Sequence, residues 1–183
     1  MRVTINGQTL ELRQGDITDQ DVKALVNAAN NRLAGGGGVD GAIHRRGGPA
    51  IMDETARRYP AGCPTGSAVI SAAGELPADY VIHAVGPVWS GGKRGEPELL
   101  AGAYRKCLEL AVEHDCSSIA FPSLSTGAYR YPIDLAARLA LKTAIDFLEE
   151  HALPRLVCFV LFDAGSYGAF SAALEQLVKP ETA

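Results

Sequence analysis

A three-layer α/β/α sandwich is predicted, with a mixed, mostly parallel central sheet edged by an antiparallel N-terminal hairpin. Three observations carry that prediction. After an opening hairpin pattern, short apolar runs alternate with amphipathic segments, the order that lays helices over a parallel sheet. Residues 156–162 are apolar at every position, as a central strand covered on both faces requires. The chain has 183 residues, 47% of them hydrophobic and 21% charged, which suits one globular domain over residues 1–183.

Val3 and Ile5, then Leu10 and Leu12, alternate with polar residues around Asn6-Gly7, so a hairpin with a tight turn is expected at the sheet edge. A loop at residues 15–18 leads to a single helical turn at 19–23 and a strand ending at Asn27. Residues 39–46 read as a helix after a glycine run, and 49–59 as a second helix with proline at its start. Strands follow at 67–72 and 80–85, the latter halted by Gly86-Pro87.

Residues 96–114 carry the strongest helical pattern, with Leu100, Tyr104, Leu108 and Val112 in one rank and Leu99, Ala103, Cys107 and Ala111 in the next. A short buried strand is expected at 118–121. Pro132 opens another helix, whose Asp134, Arg138, Lys142 and Asp146 recur every fourth residue on a polar side. The 156–162 strand and a last helix over 166–178 complete the chain.

Composition excludes several classes of function. The net charge is −4 and the basic residues are scattered, whereas a duplex-binding surface needs a basic stripe; nucleic acid is not an expected partner. Cys63, Cys107, Cys116 and Cys158 lack C-x-x-C spacing, and no histidine has a metal-ligand partner at the right interval, so buried thiols, no metal and no cofactor are expected. The first residues have no signal-peptide pattern and no apolar run is long enough for a bilayer, which predicts a cytoplasmic protein without membrane partners.

One stretch departs from generic protein. Asn27 and Asn30 precede four consecutive glycines at 35–38, and Asp40 stands at the front of the helix beyond them. Ordering four glycines is costly, and close backbone approach to a ligand is the usual compensation. A helix start just past the glycines adds unpaired N–H groups suited to phosphate. A second glycine-bearing loop, 125–129, also follows a predicted strand, so both loops would face one crevice at the C-terminal edge of the sheet. A diphosphate held between two sets of backbone amides fits that arrangement. Gly36, Gly38 and Gly41 match the G-x-G-x-x-G dinucleotide pattern, but eight residues separate Val26 from the first glycine and the required tight turn is absent.

Six ordered motifs then carry a resemblance: GDIT at 15–18, VNAAN at 26–30, GGGGVDGAIH at 35–44, CPTG at 63–66, HAVGPVW at 83–89 and STGAYRYP at 125–132. Running nearly end to end, they resemble MacroD-type macrodomains, and among these the bacterial O-acetyl-ADP-ribose deacetylases and mono-ADP-ribosylhydrolases. The resemblance implies an ADP-ribose site. It assigns Asp16 to the adenine amino group with Ile17 beside it, and Gly37, Gly38, Val39, Ser125, Thr126, Gly127, Ala128 and Tyr129 to the diphosphate. Phe162 matches the aromatic on adenine, Asn27 and Asn30 the asparagines near the distal ribose, and Asp40 the catalytic aspartate.

The expected activity is therefore hydrolysis: Asp40, assisted by Asn30, activates a water that cleaves an ester on the distal ribose. O-acyl esters of ADP-ribose and mono-ADP-ribosylated proteins are the expected substrates. A departing carboxylate, with a conjugate acid near pKa ~4, needs little help from a general acid, so arginine and serine linkages should react poorly. The alternative is a non-catalytic ADP-ribose reader with the same pocket. Each residue also has a plainer explanation: Asp16 and Asp40 as caps, Asn27 and Asn30 bonding their own backbone, Phe162 as core. Arg130 stands where relatives often carry glycine, and His44 and Cys63 are assigned to packing.

Overall fold

The structure, a computed structural model, describes residues 1–179. Strands β1 (Arg2–Ile5) and β2 (Gln8–Gln14) form the expected hairpin, with Asn6 and Gly7 at φ 50° and 84°. Those positive values match a two-residue turn that follows the twist of its strands. Next comes a 3-10 turn at Ile17–Asp19, earlier than the 19–23 expected. Asp16 is the cause, because its Oδ1 accepts from both the backbone N (2.8 Å) and the hydroxyl (2.6 Å) of Thr18 and so caps the turn there.

The remaining elements follow the predicted order: β3 (Ala24–Ala28), α1 (Gly38–Gly47), α2 (Ala50–Arg58), β4 (Ser67–Ala72), β5 (Tyr80–Val85), α3 (Glu96–Glu113), β6 (Ser118–Phe121), α4 (Ile133–Glu150), β7 (Leu156–Leu161) and α5 (Ala164–Val178). The sheet order is β1-β2-β7-β6-β3-β5-β4. Its interior is parallel, and β2 joins it by pairing in parallel with β7, so within the hairpin only β1 is an antiparallel edge. The opposite edge is antiparallel too. Residues 73–79 between β4 and β5 are too few for a crossover, and the two strands pair as a broad hairpin.

Alternate residues of the central strands feed two separate cores. Val26, Ile82, Phe121 and Phe159 pack against α3, α4 and α5, where Tyr104 and Phe170 join them. Leu25, Val81, Ala120 and Cys158 face the other way, toward Ile43 of α1 and Ile51 of α2. Burial on both faces explains why β7, residues 156–161, carries no polar residue; Phe162 lies beyond the strand.

From β3 the chain leaves toward β4 and β5, and from β6 it leaves toward β7 on the other side. The neighbouring strands β3 and β6 thus mark a switch point, where loops part and a crevice opens at the carboxyl ends of the strands.

Candidate functional site

A cleft of about 540 Å³ opens at that switch point. It brings together Asn30, Gly37, Gly38, Val39 and Asp40 from the first loop and helix, Ser125, Thr126, Gly127, Ala128 and Tyr129 from the second loop, and Phe162 from the end of β7. Most of the expected site residues therefore share one cavity.

The glycine loop is shaped by its backbone. Gly35 and Gly38 adopt φ 79° and 56°, values that favour glycine, while space around a Cβ built on Gly37 is open. Asn30 holds the approach to this loop: its Nδ2 donates to Gly35 O at 2.9 Å, and its Oδ1 accepts from Arg32 N and Ala34 N at 3.1 and 3.2 Å. It lines the cleft while also bonding its own backbone.

The second loop has left-handed residues near both ends, Ser125 at φ 65° and Arg130 at φ 59°. Such conformations cost energy for residues other than glycine and collect at binding sites. Arg130 thus occupies a position whose backbone suits glycine. Ser125 is buried, and its Oγ has no hydrogen-bond partner among the described residues. Phe162 lies just beyond β7, is 79% exposed and lines the cleft, so filling the core is not its role. An aromatic face left open at a cleft is suited to stacking.

Asp40, the third residue of α1, is 5% exposed. Its Oδ1 accepts from Asn27 Nδ2 at 2.8 Å and contacts His44 Nε2 at 3.1 Å. Among the described residues Oδ2 takes no hydrogen bond; it lies 3.4 Å from where a Cβ on Gly36 would stand, and both residues line the cleft. One carboxylate oxygen is anchored and the other is available.

Three further placements are set by side-chain contacts. Asn27 is fully buried and does not line the cleft, because strand alternation turns it beneath α1, where its amide meets Asp40 and His83. Ile17 is 5% exposed within the core on the α1 side, and Asp16 beside it caps the 3-10 turn. The bonds from Thr18 hold the Asp16 carboxyl below the usual carboxylate range, with Arg46 and Arg45 adding to the effect. His44, assigned to packing, is a direct partner of Asp40. The signal was present in the sequence, since Asp40 and His44 are four residues apart on a predicted helix.

His83 was missed altogether. A lone histidine inside the apolar run of β5 was the available sign. Burial and then the charge of His44 push its imidazole down to about 3, so it is neutral. Cys63, by contrast, is packed in a small cluster with Ala29, Leu33 and Val85, and burial raises its thiol above the usual value. All four cysteines are buried and unpaired. No helix among the described residues is long and apolar enough to cross a membrane, and those residues hold no metal-ligating cluster.

Comparison with known proteins decides the family. Residues 26–140 match the Macro domain family. This chain is a macro domain. It is 53% identical to a macro domain-containing protein of Caldanaerobacter subterraneus, an alignment covering 94% of this chain and 99% of the relative. It is 52% identical to the O-acetyl-ADP-ribose deacetylase of Salmonella typhimurium, over 91% of this chain and 94% of that enzyme. The Oceanobacillus iheyensis macrodomain solved with ADP superposes with a TM-score of 0.92 at 44% identity, covering 97% of this macro domain and 96% of that chain. The resemblance and the α/β fold are both borne out.

Proposed function

We propose that this macro domain binds ADP-ribose in the cleft and hydrolyses esters on its distal ribose. The observation that carries this reading is the divided carboxylate of Asp40: Oδ1 is held by two nitrogen donors, Oδ2 takes no hydrogen bond among the described residues, and the residue lines a cavity walled by both loops. Backbone amides of the glycine loop and of residues 125–129 supply donors for a diphosphate without adding cationic side chains, in keeping with the acidic balance of the chain. Phe162 offers a face for adenine. The far sugar then lies toward Asn30 and Asp40.

In this reading Asp40 Oδ2 accepts a proton from a water as the water oxygen attacks. With an acyl ester cleaved at its carbonyl carbon, the acyl–oxygen bond breaks and the proton passes on to the departing sugar oxygen. With a protein carboxylate on the anomeric carbon, the carboxylate departs without needing a proton. Asn27 and His44 keep the carboxylate correctly turned, since both contact the same oxygen, Oδ1. The names of the deacetylase relatives support the same chemistry.

Asp40→Ala is the deciding variant. It should retain ADP-ribose binding by titration calorimetry and lose release of acetate from O-acetyl-ADP-ribose by roughly a hundredfold or more. A wild-type protein that binds ADP-ribose yet cleaves neither acyl nor protein-linked esters would instead establish a reader.

A further inference from the structure

The anchored side of Asp40 continues into a polar chain that the cleft does not touch. Asn27 on β3 lies beside His83 on β5, the two being register partners. Asn27 Nδ2 contacts both Asp40 Oδ1 (2.8 Å) and His83 Nδ1 (3.1 Å). The far ring nitrogen, His83 Nε2, is 2.9 Å from Ser71 Oγ on β4, and that hydroxyl is 3.0 Å from the carbonyl of Ala72. Asn27, Ser71 and His83 are each no more than 1% exposed.

Every proton in this chain has a forced position. A carboxylate oxygen only accepts, so the amide nitrogen of Asn27, and not its oxygen, must face Asp40. The same nitrogen faces His83 Nδ1, which must therefore be the accepting, unprotonated nitrogen. The imidazole proton is then on Nε2 and is donated to Ser71 Oγ, whose own proton goes to Ala72 O. With Nδ1 protonated instead, two donors would oppose each other, and turning the amide over would aim its oxygen at the Asp40 carboxylate. Burial keeps His83 neutral and so permits this arrangement.

We infer that His83, held in its Nε2–H tautomer by Ser71, is a positioning residue that locks the Asn27 amide with its nitrogen toward Asp40 Oδ1 and so aims the free oxygen into the cleft. The inference rests on the proposed role of Asp40 as base, but it concerns residues that touch no ligand. Its energetic logic is that of a supporting hydrogen bond fixing the orientation of a reacting group.

The test compares His83→Leu, His83→Asn and Ser71→Ala in the full chain, using O-acetyl-ADP-ribose turnover, ADP-ribose calorimetry and thermal unfolding. His83→Leu removes the acceptor, whereas His83→Asn places an amide oxygen near the former Nδ1. Expected are a kcat about tenfold lower in His83→Leu with the ADP-ribose Kd within about twofold of wild type, recovery to within about threefold in His83→Asn, and an intermediate loss in Ser71→Ala. Nitrogen NMR of the wild-type imidazole should show Nε2 protonated and Nδ1 bare.

An Nδ1–H tautomer overturns the inference, as does an unchanged kcat in folded His83→Leu or an asparagine variant no better than the leucine one. If His83→Leu does not fold, the asparagine and Ser71→Ala variants together with the NMR tautomer decide. The base role of Asp40 fails separately: Asp40→Ala would then keep turnover, whatever tautomer His83 shows.

Discussion

The two loops that wall the cleft reach similar openness by opposite means. The one after β3 is permissive by composition, with glycines at 35–38 and positive φ at Gly35 and Gly38. The one after β6 has a single glycine between 125 and 130, and holds Ser125 and Arg130 in left-handed conformations. Its shape is imposed by bonds from Tyr131 N to Ser125 O (2.9 Å), Arg130 N to Gly127 O (3.0 Å) and Trp89 N to Tyr129 O (2.8 Å). A loop opened by its composition tolerates changes around it; a loop held by specific bonds, one of them from Trp89 outside it, does not.

The largest contrast should come from two glycines outside and inside these loops. A Cβ on Gly86 would stand 2.1 Å from Ser125 Oγ, whereas one on Gly37 meets nothing within 4 Å. Gly86→Ala should lower stability by about 1–3 kcal/mol and ADP-ribose affinity by about tenfold or more. Gly37→Ala should stay within about 0.5 kcal/mol of wild type. Denaturant titration and calorimetry on both would break the comparison if the two variants behaved alike.

The two asparagines sharpen it further. Asn27→Ala leaves His83 Nδ1 and Asp40 Oδ1 each short of a donor in a buried setting, at a cost of about 1–3 kcal/mol with loss of turnover. Asn30→Ala releases backbone groups of a turn that is partly open to water, so its cost should be under about 1 kcal/mol. Equal destabilisation by chemical denaturation would contradict the assignment of Asn27 to the support and Asn30 to the cleft.

The buried support should also set a pH response. His83 titrates near 3 when folded and near 6.5 when unfolded, so the unfolded chain binds the extra proton between those values. Its contribution is intact above about pH 6.5 and declines below it, by up to about 1.4 kcal/mol per pH unit. Unfolding free energies from pH 7 down to about 5 should show that slope in wild type and a shallower one in His83→Asn.

The smallest effect is expected at Arg130. Its left-handed backbone favours glycine, while glycine adds freedom to the unfolded chain, and the two effects nearly offset. Arg130→Gly should change stability by no more than about 1 kcal/mol, read as a small shift in Tm. A larger loss would mean that the guanidinium, and not the backbone, holds the loop.

Most elements were legible because their signals are local. The 67–72, 80–85 and 118–121 strands and the long helices follow from periodicity and punctuation within a few residues. The two walls of the cleft followed from glycine placement after strands. The 3-10 turn was misplaced because capping by Asp16 competed with helical propensity, and the second antiparallel edge went unassigned because strand direction depends on pairing.

The support behind Asp40 was the least legible part. Asn27 and His83 are 56 residues apart in the chain and meet only because β3 and β5 pair in one particular register. Asp40 reaches them only because α1 packs over that sheet face. By itself the sequence determined where the backbone turns, which faces are apolar and where glycines open the chain, since these are short-range steric and solvation effects. Tertiary structure decided which oxygen of Asp40 is anchored and which is free, because strand register and helix packing set distances between residues that no local preference relates.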